Sequence, residues 1–192
     1  MVFLFLYPVM ATHLDDKELL NQFREASSKE RGYTAIIKKY QEKLYWHIRR
    51  MVVEHEDAND VLQNMFIKVW NGLDNFREDS QLYTWLYRIA TNESLTFIEQ
   101  RKKRMAVSIS DVETGLENKI KASENFDGNK IEWKLQLAIQ QLPEKQRAVF
   151  NLRYYDEMPY EEMSRVLETS EGALKASYHH AVKKIEDFML NR

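Results

Sequence analysis

Three sets of side chains in this sequence have types and spacings suited to chemistry, and in each the chemistry is recognition. Tyr83, Tyr87, Arg88, Asn92 and Thr96 interleave aromatic rings, a cation and short hydrogen-bonding groups, and their stretch closes on the basic run Arg101-Lys102-Lys103-Arg104. Rings of this kind stack on bases and cations meet phosphates; the plainer alternative buries the tyrosines and lets the basic run complement a helix C-terminus. Further on, Glu171, Gly172, Lys175, Ala176, His179 and Lys183, with His180 beside them, fall on one side of a candidate helix. There the lysines would donate to phosphates or guanine edges while Gly172 and Ala176 admit a close backbone approach; otherwise this is an ordinary charged, solvent-facing helix. Asp60, Gln63, Asn64 and Lys68 form the third set, a solvated face or a docking face.

Other chemistry finds little support. His47 and His55, with Glu54, Glu56 and Asp57 nearby, are eight residues apart and have no matching ligand cluster, and His179-His180 point in two directions on a helix. No metal site is expected. A chain with 0 cysteines excludes a disulfide scaffold, an iron–sulfur cluster, thiolate zinc and a cysteine nucleophile. Gly-rich phosphate loops, serine elbows and zinc-protease signatures are missing from the sequence. The expectation is a protein without cofactor that is no enzyme.

The elements that position these sets are helical. The 192 residues include only 5 Gly and 3 Pro, and 30% are charged, a composition rich in helix formers. Net charge is only -2, whereas proteins that hold nucleic acid unaided are usually strongly basic, so DNA binding here would need help. Asp57 is expected to cap a helix whose stripe is Val61, Leu62, Met65, Phe66, Val69, Trp70 and Leu73. Turn-formers from Gly72 to Ser80 follow, with Ser80 as the next cap, and a helix from about Gln81 to Arg104 turns Leu82, Trp85, Leu86, Ile89 and Ala90 inward. Residues 105–130 are poor in aromatics, with five acids against three bases, and read as a linker.

Helical spacing resumes at Ile131, and Pro143 suits the first turn of a new helix. Tyr160 to Leu167, the turn Glu168-Thr169-Ser170, and a longer helix from Glu171 to about Phe188 capped by Ser170 make a helix-turn-helix. The reading is all-α: an extension 1–13, a domain 14–104, the linker, and a domain 131–192. The apolar start MVFLFLYPV lacks a basic flank and meets acidic residues at once, so neither a signal peptide nor a spanning helix fits. Whether residues 1–9 are native or the true start is Met10 stays open, and a cytoplasmic protein without membrane insertion is expected.

The stretch DANDVLQNMFIKVWNGLDNFREDSQLYTWLYRIATNESL resembles domain two of the extracytoplasmic-function (ECF) sigma factors, and AIQQLPEKQRAVFNLRYYDEMPYEEMSRVLETSEGALKASYHHAVKKI is similar to their domain four. Both occur in the family's order. The resemblance implies bacterial core RNA polymerase and promoter DNA as partners, together with an inhibitory anti-sigma factor. It assigns Asp57, Asp60, Gln63 and Asn64 to polymerase binding and Phe66 to packing. For the minus-ten element it implies a base-capturing loop from Phe76 to Gln81, and contacts from Phe76, Ser80, Tyr83, Arg88, Asn92 and Thr96. For the minus-thirty-five element it implies Glu171, Gly172, Lys175, Ala176, His179 and Lys183, while Leu142-Pro143, Arg147 and Phe150 resemble the support helix that also meets the polymerase flap.

The sequence departs from the family where Asn64 and Thr96 replace acidic residues, where Glu168 replaces a turn glycine, and where Ser177 and His180 replace bases. A helix-turn-helix regulator acting alone and an all-α interaction adaptor are the alternative readings.

Overall fold

The computed structural model describes residues 15–104 and 130–191; the expected extension 1–13 and most of the linker lie outside them. Among the described residues there are eight α-helices and no strand. The helices are α1 (Asp16–Arg24), α2 (Lys29–Val52), α3 (His55–Gly72), α4 (Leu82–Arg104), α5 (Lys130–Gln140), α6 (Glu144–Tyr154), α7 (Tyr160–Leu167) and α8 (Glu171–Asn191). By packing, the chain divides into residues 1–39 and 40–192.

In the first unit, Asp15 starts α1 with a capping box: its carboxylate accepts from Glu18 N at 2.8 Å and its own N–H donates to Glu18 at 3.1 Å. Leu19, Leu20 and Phe23 are buried. Gly32 lets α2 lie on α1 at backbone distance, since a Cβ there would stand 2.5 Å from Phe23 N.

In the second unit, α2 turns into α3 through Val53, which at φ 75° sits in a region that β-branched residues rarely adopt. The α3 stripe is as expected in its centre, with Val61, Met65 and Val69 buried. Its start is not: the helix begins at His55 behind Glu54, and Asp57 lies inside the first turn rather than at the cap. Ser80 does not cap α4 either. Its hydroxyl donates to Gln81 O at 3.4 Å, and Trp85 N closes the first turn on Gln81 O at 3.1 Å.

Helix α4 is covered twice, by α3 and by α7. Residues 40–104 and 130–191 thus pack directly together within this unit. Double coverage explains why Tyr87 is 2% exposed, which for this ring bears out the alternative of a buried tyrosine over an outward, base-stacking one. In the α5–α8 part, Ala138, Ile139, Leu142, Phe150, Ala181 and Ile185 form one core. Arg147 is buried there against the Gln140 side chain; burial lowers its guanidinium to about 10, with Glu144 opposing. Arg147 is a brace inside this core, and Phe150 stacks on Tyr178 with ring centroids 5.8 Å apart. Helix α8 runs on past Phe188 to Asn191.

Candidate nucleic-acid interface

On α3 the apolar period leaves Asp60, Gln63 and Asn64 fully on the exposed side, with Ile67 among them. Asp57 differs. It is half-buried and accepts from Arg101 Nη1 at 2.5 Å, so it is already engaged within the chain. The two histidines considered for metal go to separate places: His55 Nδ1 is 2.6 Å from Tyr45 Oη, whereas His47 is fully buried elsewhere in the unit.

After α3, the 3-10 turn Leu73–Asn75 and the loop behind it wall a cavity of about 510 Å³ against the start of α4. Phe76 and Trp85 form one side, with ring centroids 5.1 Å apart, and Ser80, Thr84 and Arg88 add polar groups. Gly72 leaves room for this wall: a Cβ there would stand 3.2 Å from the Trp85 ring. Phe76 lines the cavity but is itself only 7% exposed.

Tyr83 is half-buried, 4.5 Å from the Tyr87 ring. Burial, followed by the charges of Asp156 and Glu162, pushes its phenol up to about 12, against a hydrogen bond with Tyr87 that lowers it. Arg88 is half-exposed at the cavity, and Asn92 and Thr96 are exposed further along α4. The structure therefore brings Phe76, Ser80 and Arg88 to one hollow and leaves Asn92 and Thr96 on open helix surface.

Thr84 and Arg165 also line the cavity and were not singled out from the sequence, while Arg77 lies in the loop expected to capture a base. Arg165 comes from α7, and its Nη1 donates to Asp79 O at 3.3 Å across a separation of 86 residues. Local spacing carries no signal for such a neighbour; its pairing with Glu161 at i,i+4 marks only a surface arginine.

In the helix-turn-helix, Met163, Val166, Leu174, Ala181 and Ile185 hold α7 and α8 to their core. Glu168 takes a left-handed conformation, φ 51° and ψ 43°, and Ala173 N donates to Ser170 Oγ at 3.4 Å, the expected cap. Glu171, Gly172, Lys175, Ala176, His179 and Lys183 are all exposed on α8. Lys175 pairs with Glu171 at 3.2 Å, and nothing stands within 4 Å of a Cβ built on Gly172, so that stretch of backbone is open to approach.

The two parts of this surface coincide with two regions of one family. Residues 36–104 match Sigma-70 region 2 and residues 132–185 match Sigma-70 region 4. Similar chains include the RNA polymerase sigma-H factor of Pseudomonas aeruginosa, 31% identical over 185 residues that cover 92% of this chain and 95% of the relative. The ECF RNA polymerase sigma-E factor of Escherichia coli K12 is 28% identical over 188 residues, covering 93% and 96%.

In fold, the chain is similar to CnrH in its complex with the cytosolic domain of CnrY, with TM-score 0.66, 20% identity and coverage of 91% and 96%. It is likewise similar to the sigma factor RpoE bound to the anti-sigma factor NepR from Bartonella quintana, with TM-score 0.65, 18% identity and coverage of 83% and 98%.

The chain belongs to the Sigma-70 family of RNA polymerase sigma factors, in its ECF branch. It is a transcription initiation factor, and among the described residues no helix is long and apolar enough to cross a membrane.

Proposed function

We propose that this sigma factor docks on core polymerase in the cytoplasm through the exposed side of α3, with Asp60, Gln63 and Asn64 as the contacts and Asp57 as their intramolecular support. The α4 surface from the cavity through Arg88, Asn92 and Thr96 then holds the separated minus-ten strand, and α8 reads the minus-thirty-five element. The single observation that supports this most is that the polar side chains exposed on α3 and α8 lie within the segments matching the two sigma regions.

The mechanism is physical, with no covalent step. Opening duplex costs about 1.4 kcal/mol per stacked step, and stacking on protein rings returns about 1–3 kcal/mol per base. A hollow lined by Phe76, Ser80 and Arg88 suits one extruded base, which recovers its unpairing energy only if it fits. Near-neutral charge limits binding away from polymerase, because phosphate electrostatics dominate nonspecific affinity. The solved complexes of similar proteins with CnrY and NepR support an anti-sigma partner for this chain too.

The test is run-off transcription with core polymerase. Arg88→Ala with Asn92→Ala lowers open-complex yield at unchanged core affinity, and Asp60→Lys lowers core affinity itself. Equal open-complex yield in the double variant would overturn the assignment of α4. A specific gel shift by the protein alone would favour a regulator independent of polymerase.

A further inference from the structure

Where α2 turns back into α3, a surface cluster stands apart from the cavity and from α8. All 4 tryptophans fall among the described residues, and Trp46 on α2 is the exposed one, at 39%. Single exposed rings are ordinary on a folded surface, but this one is built into a hydrogen-bonded cluster. Trp46 packs edge-to-face with Tyr45, ring centroids 5.3 Å apart. Tyr45 in turn meets His55 at the start of α3, with ring centroids 5.8 Å apart and Oη 2.6 Å from Nδ1. Asn59, one turn further on, places Nδ2 3.1 Å from His55 Nε2.

The hydrogens in this chain of contacts run one way. An amide Nδ2 only donates, so His55 Nε2 accepts, the neutral ring carries its proton on Nδ1, and Tyr45 Oη receives it. The Tyr45 hydroxyl therefore keeps its own hydrogen for an acceptor outside the chain. Together these side chains hold the indole in place before anything binds, which lowers the ordering cost of using it.

The cluster is continuous with the docking face of α3. Asn59 adjoins Asp60 in sequence and Gln63 at i,i+4, and Asp60, Gln63, Asn64 and Ile67 are exposed beyond it. Between residues 42 and 60 the exposed Asp, Glu, Lys and Arg side chains are Glu42, Glu56 and Asp60 against Lys43. Arg50, one turn after Trp46, is already spent on Asp156 at 3.6 Å and on the Tyr155 ring at 4.2 Å. A surface with this balance suits a basic partner, and an indole among acids suits a guanidinium or ammonium group.

We propose that the polymerase-docking face continues from α3 around the corner onto α2, with Trp46 as its aromatic anchor. Core polymerase sets a cationic side chain against the indole and a hydrogen-bond acceptor on the Tyr45 hydroxyl. The proposal rests on the docking reading of α3 given above and adds to it residues from a second helix. Tryptophan is among the side chains that carry most of the binding energy where interfaces have such anchors.

The test is competition of the full chain against labelled wild type for core polymerase. Trp46→Ala should bind about tenfold more weakly or worse, with an unchanged melting curve by circular dichroism because the ring lies on the surface. Trp46→Phe should recover most of the loss, and Tyr45→Phe should weaken binding several-fold. Wild type carries the test if Trp46→Ala does not fold: in hydroxyl-radical labelling read by mass spectrometry, holoenzyme formation should protect Trp46 together with Ile67.

A folded Trp46→Ala that binds core as wild type does, or a Trp46 labelled equally in free protein and holoenzyme, would overturn the anchor. Protection that appears in the free protein as its concentration rises would also overturn it, since a second copy would then be the occupant. Asp60→Lys separates this from the underlying reading. Lowered affinity there with Trp46→Ala unaffected sinks the anchor alone, whereas unchanged affinity in Asp60→Lys sinks the docking reading of α3.

Discussion

Arg101 at the end of α4 holds α3 with both arms of its guanidinium, Nη1 to Asp57 Oδ2 at 2.5 Å and Nη2 to Glu54 Oε1 at 2.6 Å. The two carboxylates it grips also sit where the α3 dipole favours negative charge. All three side chains are 22–35% exposed, so solvent discounts the fork to about 1 kcal/mol. Arg101→Ala should therefore lower the melting temperature by about 2–4 °C, read by circular dichroism. Asp57→Ala leaves the Arg101–Glu54 pair in place and should cost only part of that, whereas Asp60→Ala should leave stability alone and weaken core binding in a fluorescence titration. A large core-binding defect in Asp57→Ala at unchanged stability would place Asp57 in the docking face itself.

Glu168 closes α7 at φ 51°, where its Cβ crowds the following carbonyl. Glycine avoids this strain of about 1–2 kcal/mol but loses more chain entropy on folding. The ion pair to Arg88 at 3.8 Å is exposed on both sides and contributes little. Glu168→Gly should raise stability by about 0.5–1 kcal/mol, seen as a higher denaturant midpoint. A lower midpoint would mean that Glu168 makes a contact worth more than its backbone strain.

What the sequence made legible follows from where the packing partner lies. The stripe Val61, Met65 and Val69 shows at helical period because a single face of α3 is covered, and the positions opposite it are the exposed ones. The pair Ser170 and Ala173 could be anticipated because a cap is a local bond. The α3 start was misplaced because Asp57 has the chemistry of a cap while Glu54, the actual N-cap, makes no side-chain cap bond. Arg165, and the choice between the two readings of Tyr87, were unreadable for a different reason. Their environment comes from the packing of α4 on α7, and Tyr87 meets Asp156 across 69 residues of sequence.

The Tyr83 phenol, pushed up to about 12 mainly by burial and then by Asp156 and Glu162, couples folding to alkaline pH. The folded protein keeps a proton that the unfolded chain releases near the ordinary value of about 10. Stability from this group is complete below that value and falls as pH rises from about 10 to about 12. Tyr83→Phe should reduce the drop in denaturant midpoint between about pH 9 and about pH 11. Burial raises Tyr33 to about 12 as well, so part of the drop must remain. An unchanged slope in Tyr83→Phe would mean that this ring is solvated in solution.

Gly32 tests the first unit by a sign. In an open helix, alanine in place of glycine gains about 1 kcal/mol. Here the added carbon would stand 2.5 Å from Phe23 N, 2.8 Å from Gln22 C and 2.9 Å from Phe23 Cα, all backbone atoms that no rotamer change can move away. Overpacking costs about 1–3 kcal/mol, and a backbone clash belongs at the upper end. Gly32→Ala should therefore destabilise the α1–α2 contact by about 1–2 kcal/mol net, visible as faster amide exchange through α1. Slower exchange would show that the helices separate freely.

Lys175 offers the most direct reading of α8 against DNA. It is held by Glu171 at 3.2 Å and lies 5.4 Å from the Tyr160 ring centroid, yet its side chain is 57% exposed. An exposed i,i+4 pair is worth only about 0.3–0.5 kcal/mol, so a phosphate can displace Glu171 easily. In holoenzyme, Lys175→Ala should weaken promoter binding and lower the salt slope by about 1. Glu171→Ala should act the other way, because it removes an anion from the same face and frees the lysine. Measuring both across a salt series separates the possible roles. A loss confined to one base position, with the slope intact, would assign Lys175 to a guanine edge instead, and no change in either variant would move minus-thirty-five recognition off this turn of α8.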